Sequence, residues 1–191
     1  MIKQKRTKKS KESKDTTKKE KKFKAVLVGR HVFSNSQRAF DLYSNSRFGE
    51  PRDGKIYYAL VEAAYLLEKG KITIYKGKRK LSKDTFIKIA EQFEHNFHTR
   101  YLVYKDMRSR GYIIKTALKF GADFRVYEKG IKPGEEHAKW ILYPVYETDS
   151  MTWHEFSAKS RVAHSTRKQL LIGIVDEEGD ITYYTCAWIR P

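Results

Sequence analysis

Residues 82–97 place Phe86, Ile89, Ala90, Phe93 and Phe97 on one helical face, and short apolar runs that read as strands flank them: KITIYKG before, and YIIKT, ADFRVY and WILYPVYE after. A chain that alternates between periods of 3.6 and 2 is confined to sheets covered by helices, so the expected class is α/β (mixed α+β). KAVLVGRHVF, residues 24–33, reads as two short strands around Gly29, and residues 34–57 as irregular with one short helix. Leu60, Ala63, Ala64 and Leu67 share a helical face that Gly70 closes, and Ser82 caps the next helix. RYLVYKDMRSRG is a helix ended by Gly111, residues 152–166 form another, and LLIGIVD and ITYYTCAWI are strands joined by the turn EEGD. The expected division is 1–22 as a basic tail, 23–96 as a small N-terminal α/β domain, and 97–191 as a C-terminal domain with a mixed sheet flanked by helices.

Residues 1–22 hold eleven Lys and Arg and three acids. Their one apolar side chain beyond Met1 is Ile2, too little to offset ordering entropy, so this tail is expected to be disordered. The whole chain carries +17, of which +9 remains on residues 23–191. A basic body of this kind attracts polyanions, with RNA or DNA as the obvious partner. No run of about 18 apolar residues exists, so no membrane span is expected. No apolar leader opens the chain, and the single cysteine, Cys186, fits a reducing interior, so a cytoplasmic location is expected.

Three chemistry-bearing residues fall at the edges of regular elements: Tyr127 at the end of ADFRVY, His137 after the Gly/Pro turn that follows it, and Lys168 where a helix hands over to a buried strand. Taken singly, each is more often a packing or solvated residue. Metal chemistry has weak support, since HExxH and CxxC are missing and Glu-x-Lys occurs only at Glu12–Lys14 and Glu20–Lys22, in the tail. No Walker loop or GxGxxG supports nucleotide chemistry, and no cofactor is expected. Metal-free RNA cleavage fits better, because RNA carries its own nucleophile in the 2′-OH. Such an enzyme needs a base, an acid and a cation. Histidine, with a pKa of about 6.5, suits the acid; tyrosine, at about 10, serves as base only where nearby cations favour the phenolate.

The blocks YLVYKDMRSRGYIIKTALKFGADFRVYEKG, EEHAKWILYPV and RVAHSTRKQLLIGIVDEEGDITYY resemble the archaeal tRNA-splicing endonucleases, the tRNA-intron endonuclease family. The likeness is strongest over residues 99–191 and looser over 58–96. It implies a C-terminal catalytic nuclease domain, with Tyr127 as general base, His137 as general acid and Lys168 as transition-state stabiliser, and with no metal. It further implies a precursor tRNA substrate cut at a bulge–helix–bulge, giving 2′,3′-cyclic phosphate and 5′-hydroxyl ends. Arg161 matches an arginine that grips a bulged base, with Trp188 as its partner on the last strand, and Arg167 lies beside Lys168 as a further RNA contact. Family members assemble as a dimer of dimers, so a homotetramer or a heterotetramer with a structural subunit is implied, and the loop around Glu147 and Asp149 resembles the assembly loop. Two other readings remain open on the residues alone: a non-catalytic RNA-binding subunit of the same assembly, and a metal-dependent structure-specific DNA nuclease.

Overall fold

A computed structural model describes residues 22–117, 121–131, 133–134 and 136–189. The expected tail, apart from Lys22, lies outside the described residues. The first sheet is built from β1 (Phe23–Val28), β2 (His31–Ser34), β3 (Glu50–Arg52), β4 (Lys55–Tyr58), β5 (Ile72–Lys76) and β6 (Arg79–Lys80). Its order is β3-β4-β2-β1-β5-β6, with β1 and β5 parallel and the other pairs antiparallel. Three helices accompany it: α1 (Gln37–Ser46), α2 (Leu60–Glu68) and α3 (Lys83–Phe93). Residues 34–57 thus hold the expected short helix but also two strands that their composition hid. The turn Asp53–Gly54, with φ of 48° and 68°, has both central residues left-handed, which is the twist a tight hairpin requires.

Helix α2 is buried almost all round, with Leu60, Val61, Ala63, Ala64 and Leu66 each 3% exposed or less. Helix α3 opens as its sequence suggests, the Ser82 hydroxyl accepting from the Thr85 N–H at 3.2 Å. The expected five-residue stripe is divided, however. Asn96 takes φ 54° and breaks the run, so Phe97 begins a new helix, α4 (Phe97–Ser109), while Phe93 is left 45% exposed. Phe86, Ala90 and Phe97 are buried as the pattern requires.

The second sheet contains β7 (Ile113–Thr116), β8 (Phe124–Tyr127), β9 (Trp140–Tyr146), β10 (Gln169–Val175) and β11 (Ile181–Cys186), in the order β11-β10-β9-β8-β7. Only β9 and β10 run parallel, and α5 (Trp153–Ser165) makes the crossover between them. Strand β11 is an edge strand within the chain. Ile181, Tyr183 and Cys186 are half-buried while Tyr184 is 53% exposed.

One apolar core runs through both sheets. It joins Leu27, Ile56 and Ile74 to Ile114, Phe124 and Leu142, with α2 and α4 between them. Tyr104 of α4 is fully buried at its centre, its ring 5.9 Å from that of Tyr65 and 6.0 Å from that of Phe124. A polar lock supplements the apolar contact. Lys115 of β7 donates to the Gly49 carbonyl at 2.7 Å and to Glu62 Oε1 at 3.0 Å, and both side chains are about 4% exposed. Glu62 in turn accepts from the N–H groups of Gly49 and Ala59. Gly49 holds φ 75°, and a Cβ there would stand 2.8 Å from the Tyr57 carbonyl oxygen, so glycine is required. A smaller cluster of Ile141, Tyr143, Ala163 and Leu170 lies under α5.

Candidate active site

The register of the second sheet brings three separate stretches of sequence to one end. Val126 of β8 is opposite Trp140, the first residue of β9, and Trp140 is opposite Gln169, the first residue of β10. Tyr127 therefore lies one residue beyond this row, His137 three residues before β9, and Lys168 one residue before β10. Adjacent strands are about 4.8 Å apart, so these positions fall around one site. Tyr127, His137 and Lys168 all line a single cavity of about 1000 Å³. Tyr127 is buried at 5% exposure and His137 is exposed.

The loop that returns His137 is tied at its base. The Lys139 N–H donates to the Val126 carbonyl at 3.0 Å, and the Lys139 ammonium pairs with Glu128. The Gln169 N–H then donates to the Lys139 carbonyl at 2.9 Å, joining this loop to β10.

Lys168 is aimed by the end of α5. The N–H of Arg167 donates to the His164 carbonyl at 3.0 Å, and that of Lys168 to the Ala163 carbonyl at 2.8 Å, which together close a Schellman turn. The left-handed position of this turn is normally glycine; here it is Arg167, at φ 55°. An L-residue held there costs about 1 kcal/mol. The Lys168 ammonium donates to the Thr166 carbonyl at 2.7 Å, and its pKa is lowered, first by burial and then by the charge of Arg125.

Arg125 was not singled out from the sequence, although it lines the same cavity. The signal was present: it stands two residues before Tyr127 on β8, and alternate strand residues share a face. Its buried Nε has no hydrogen-bond partner among the described residues. Such a donor is expensive to leave unmatched. With Arg125, Lys139, Arg167 and Lys168 against Glu128 and Glu136, the described lining is net basic and suited to an anion.

The remaining candidates lie elsewhere. Arg161 is exposed on α5 and is not on the cavity wall. Trp188 is half-exposed and packs edge-on against His164, with ring centroids 4.3 Å apart, one helical turn from Arg161. Glu147 accepts from the Glu177 N–H at 2.7 Å, and Asp149 from the Tyr146 N–H at 2.9 Å, so both carboxylates hold loops of their own chain. Among the described residues, no cluster of three or more His, Cys, Asp or Glu side chains is placed to hold a metal ion, and no helix is long and apolar enough to cross a membrane.

Comparison with known proteins agrees with this architecture. Residues 23–87 match the family model described as the tRNA intron endonuclase N-terminal domain, and residues 97–183 that of the tRNA intron endonuclease catalytic C-terminal domain. The chain is 44% identical over 165 residues to the tRNA-splicing endonuclease of Thermococcus kodakarensis, covering 86% of this chain and 96% of the relative. It is 46% identical over 138 residues to that of Nanoarchaeum equitans, covering 69% and 88%. It is 41% identical over 150 residues to that of Methanothermobacter thermautotrophicus, covering 78% and 87%.

Proposed function

The chain belongs to the tRNA intron endonuclease family, and from that premise we propose that it is a metal-independent endoribonuclease that excises introns from precursor tRNA at bulge–helix–bulge structures. The observation that carries the reading is that Tyr127, His137 and Lys168 line one basic cavity at the end of three neighbouring strands.

In this reading the Tyr127 phenolate takes the proton of the 2′-OH beside the scissile phosphate. The 2′ oxygen bonds to phosphorus, the bond from phosphorus to the 5′ oxygen breaks, and His137 gives that oxygen a proton. The products are a 2′,3′-cyclic phosphate and a 5′-hydroxyl. Lys168 holds a non-bridging oxygen as charge builds on the phosphorane, and Arg125 and Arg167 place further positive charge around it. Arg161 and Trp188, on the α5 side, contact RNA outside the cleaved linkage. Residues 23–96 and 97–191 act as an N-terminal domain and a catalytic domain, and chains associate as a dimer of dimers in which the loop around Glu147 and Asp149 takes part.

Single-turnover cleavage of a bulge–helix–bulge precursor by Tyr127→Phe tests the role of the base. RNA binding is expected to be retained while the rate falls by about 10²–10⁴-fold. An unchanged rate removes Tyr127 from the mechanism.

A further inference from the structure

The outer face of the first sheet presents a row of residues that the cleavage site does not use. Across all six strands, in register, run Glu50, Tyr57, Phe33, Val26, Tyr75 and Lys80. The opposite face packs into the core through Ala25, Leu27, Val32, Ile56, Ile72 and Ile74. Among the described residues no element covers the outer face: Val26 is 37% and Val28 58% exposed, and Phe33, Tyr57 and Tyr75 are each only half-buried.

Cations interleave with the rings. The Lys55 ammonium lies 4.8 Å from the Phe33 ring centre, and that of Lys24 lies 5.8 Å from that of Tyr75. Phe33 and Tyr57 are tilted neighbours, 5.3 Å apart. Lys80 closes the row, and its one carboxylate, Glu50, is 3.2 Å from the Lys115 ammonium. Cross-strand aromatic pairs stabilise a sheet by themselves. That need alone does not call for solvent-facing rings flanked by lysines. Three strand spacings separate Tyr57 from Tyr75, about 14 Å, which is room for two separate bases to stack.

We propose that this face is a second RNA-binding surface, on which Phe33–Tyr57 and Tyr75 stack unpaired bases while Lys24, Lys55 and Lys80 hold the adjoining phosphates. Half-buried aromatics on an uncovered sheet face with basic neighbours suit single-stranded RNA, because every base offers a π-face and every linkage a negative charge. That the RNA is an unpaired stretch of the same precursor rests on the nuclease reading. The stacking itself does not.

The test uses the full chain, comparing wild type with the triple variant Phe33→Ala, Tyr57→Ala, Tyr75→Ala. Both forms keep the basic tail, so any difference reports the sheet. A fluorescent twelve-uridine RNA is expected to lose at least tenfold in affinity, and ultraviolet cross-links in wild type are expected to map to peptides holding Phe33, Tyr57 or Tyr75. For a precursor with long unpaired segments KM should rise with kcat unaltered, while a minimal bulge–helix–bulge duplex should be cut as by wild type. Lys24→Glu with Lys80→Glu, at exposed positions, gives the same oligonucleotide readout should the triple variant misfold. Equal oligonucleotide affinity in folded variants overturns the proposal, as does a changed sedimentation mass without loss of RNA binding, which would make the face a contact between copies. The oligonucleotide measurement needs no cleavage, so failure of the nuclease reading is seen separately, as absent cutting by wild type.

Discussion

Arg125 of β8 and Lys168, one residue before β10, line one cavity across the intervening β9, and the guanidinium, after burial, is what draws the Lys168 pKa down. Removing that charge must raise the pKa again. If the Lys168 ammonium is required in the transition state, Arg125→Gln moves the alkaline limb of the pH–rate profile to higher pH, whatever it does to the maximum rate. A limb that stays in place, or moves down, separates Lys168 from the group that titrates there.

Arg167 sits where glycine is the unstrained choice. Arg167→Gly is expected to leave the turn intact and to stabilise the fold by up to about 1 kcal/mol in urea titrations. The same variant loses a cation from the cavity wall, so RNA affinity should fall about tenfold and the salt dependence of binding should lose about one unit of slope. A variant both more stable and fully active would mean that the strain serves no purpose at the site.

Lys115 and Glu62 form a buried pair that couples β7 to α2. Lys115→Met leaves the Glu62 carboxylate buried without its cation, and the expected loss is about 3–5 kcal/mol of unfolding free energy. Adding Glu62→Gln should recover part of it. If the single variant loses under 1 kcal/mol, the apolar core alone holds the two sheets together.

Glu68 links α2 to its neighbours. Burial would push its pKa up, but hydrogen bonds from Lys105 at 2.8 Å, from Lys83 and from Tyr101 at 2.7 Å outweigh that and hold it at about 2, below the ordinary 4.5. A depressed carboxylate stabilises the fold above its unfolded pKa, and that contribution is lost as pH falls from about 4.5 toward 2. Unfolding midpoints measured across this window should drop for wild type and drop less steeply for Glu68→Gln.

How much of this was legible follows from the physics of each feature. Long periodic segments reveal themselves, and α2, α4, α5 and the strands of the second sheet fall close to where their patterns place them. β3 and β4 did not, being three and four residues long in a polar stretch, although the Asp53–Gly54 turn was their visible mark. The stripe from Phe86 to Phe97 looked continuous because periodicity does not register the left-handed break at Asn96. Tyr127, His137 and Lys168 were named from element edges and family likeness. Their convergence depends on register between β8, β9 and β10, which no local pattern encodes. Arg125 follows from strand alternation once Tyr127 is fixed. The Lys115–Glu62 pair bridges 53 residues, and nothing near either one announces it.

The most direct test of the central claim is to incubate purified protein with a bulge–helix–bulge precursor in EDTA and to analyse the ends of the fragments. The account predicts cutting at both splice sites, with 2′,3′-cyclic phosphate and 5′-hydroxyl ends, and no cutting where the scissile nucleotide is 2′-deoxy. Fragments ending in 3′-hydroxyl and 5′-phosphate, or cleavage restored only by added divalent metal, would contradict it.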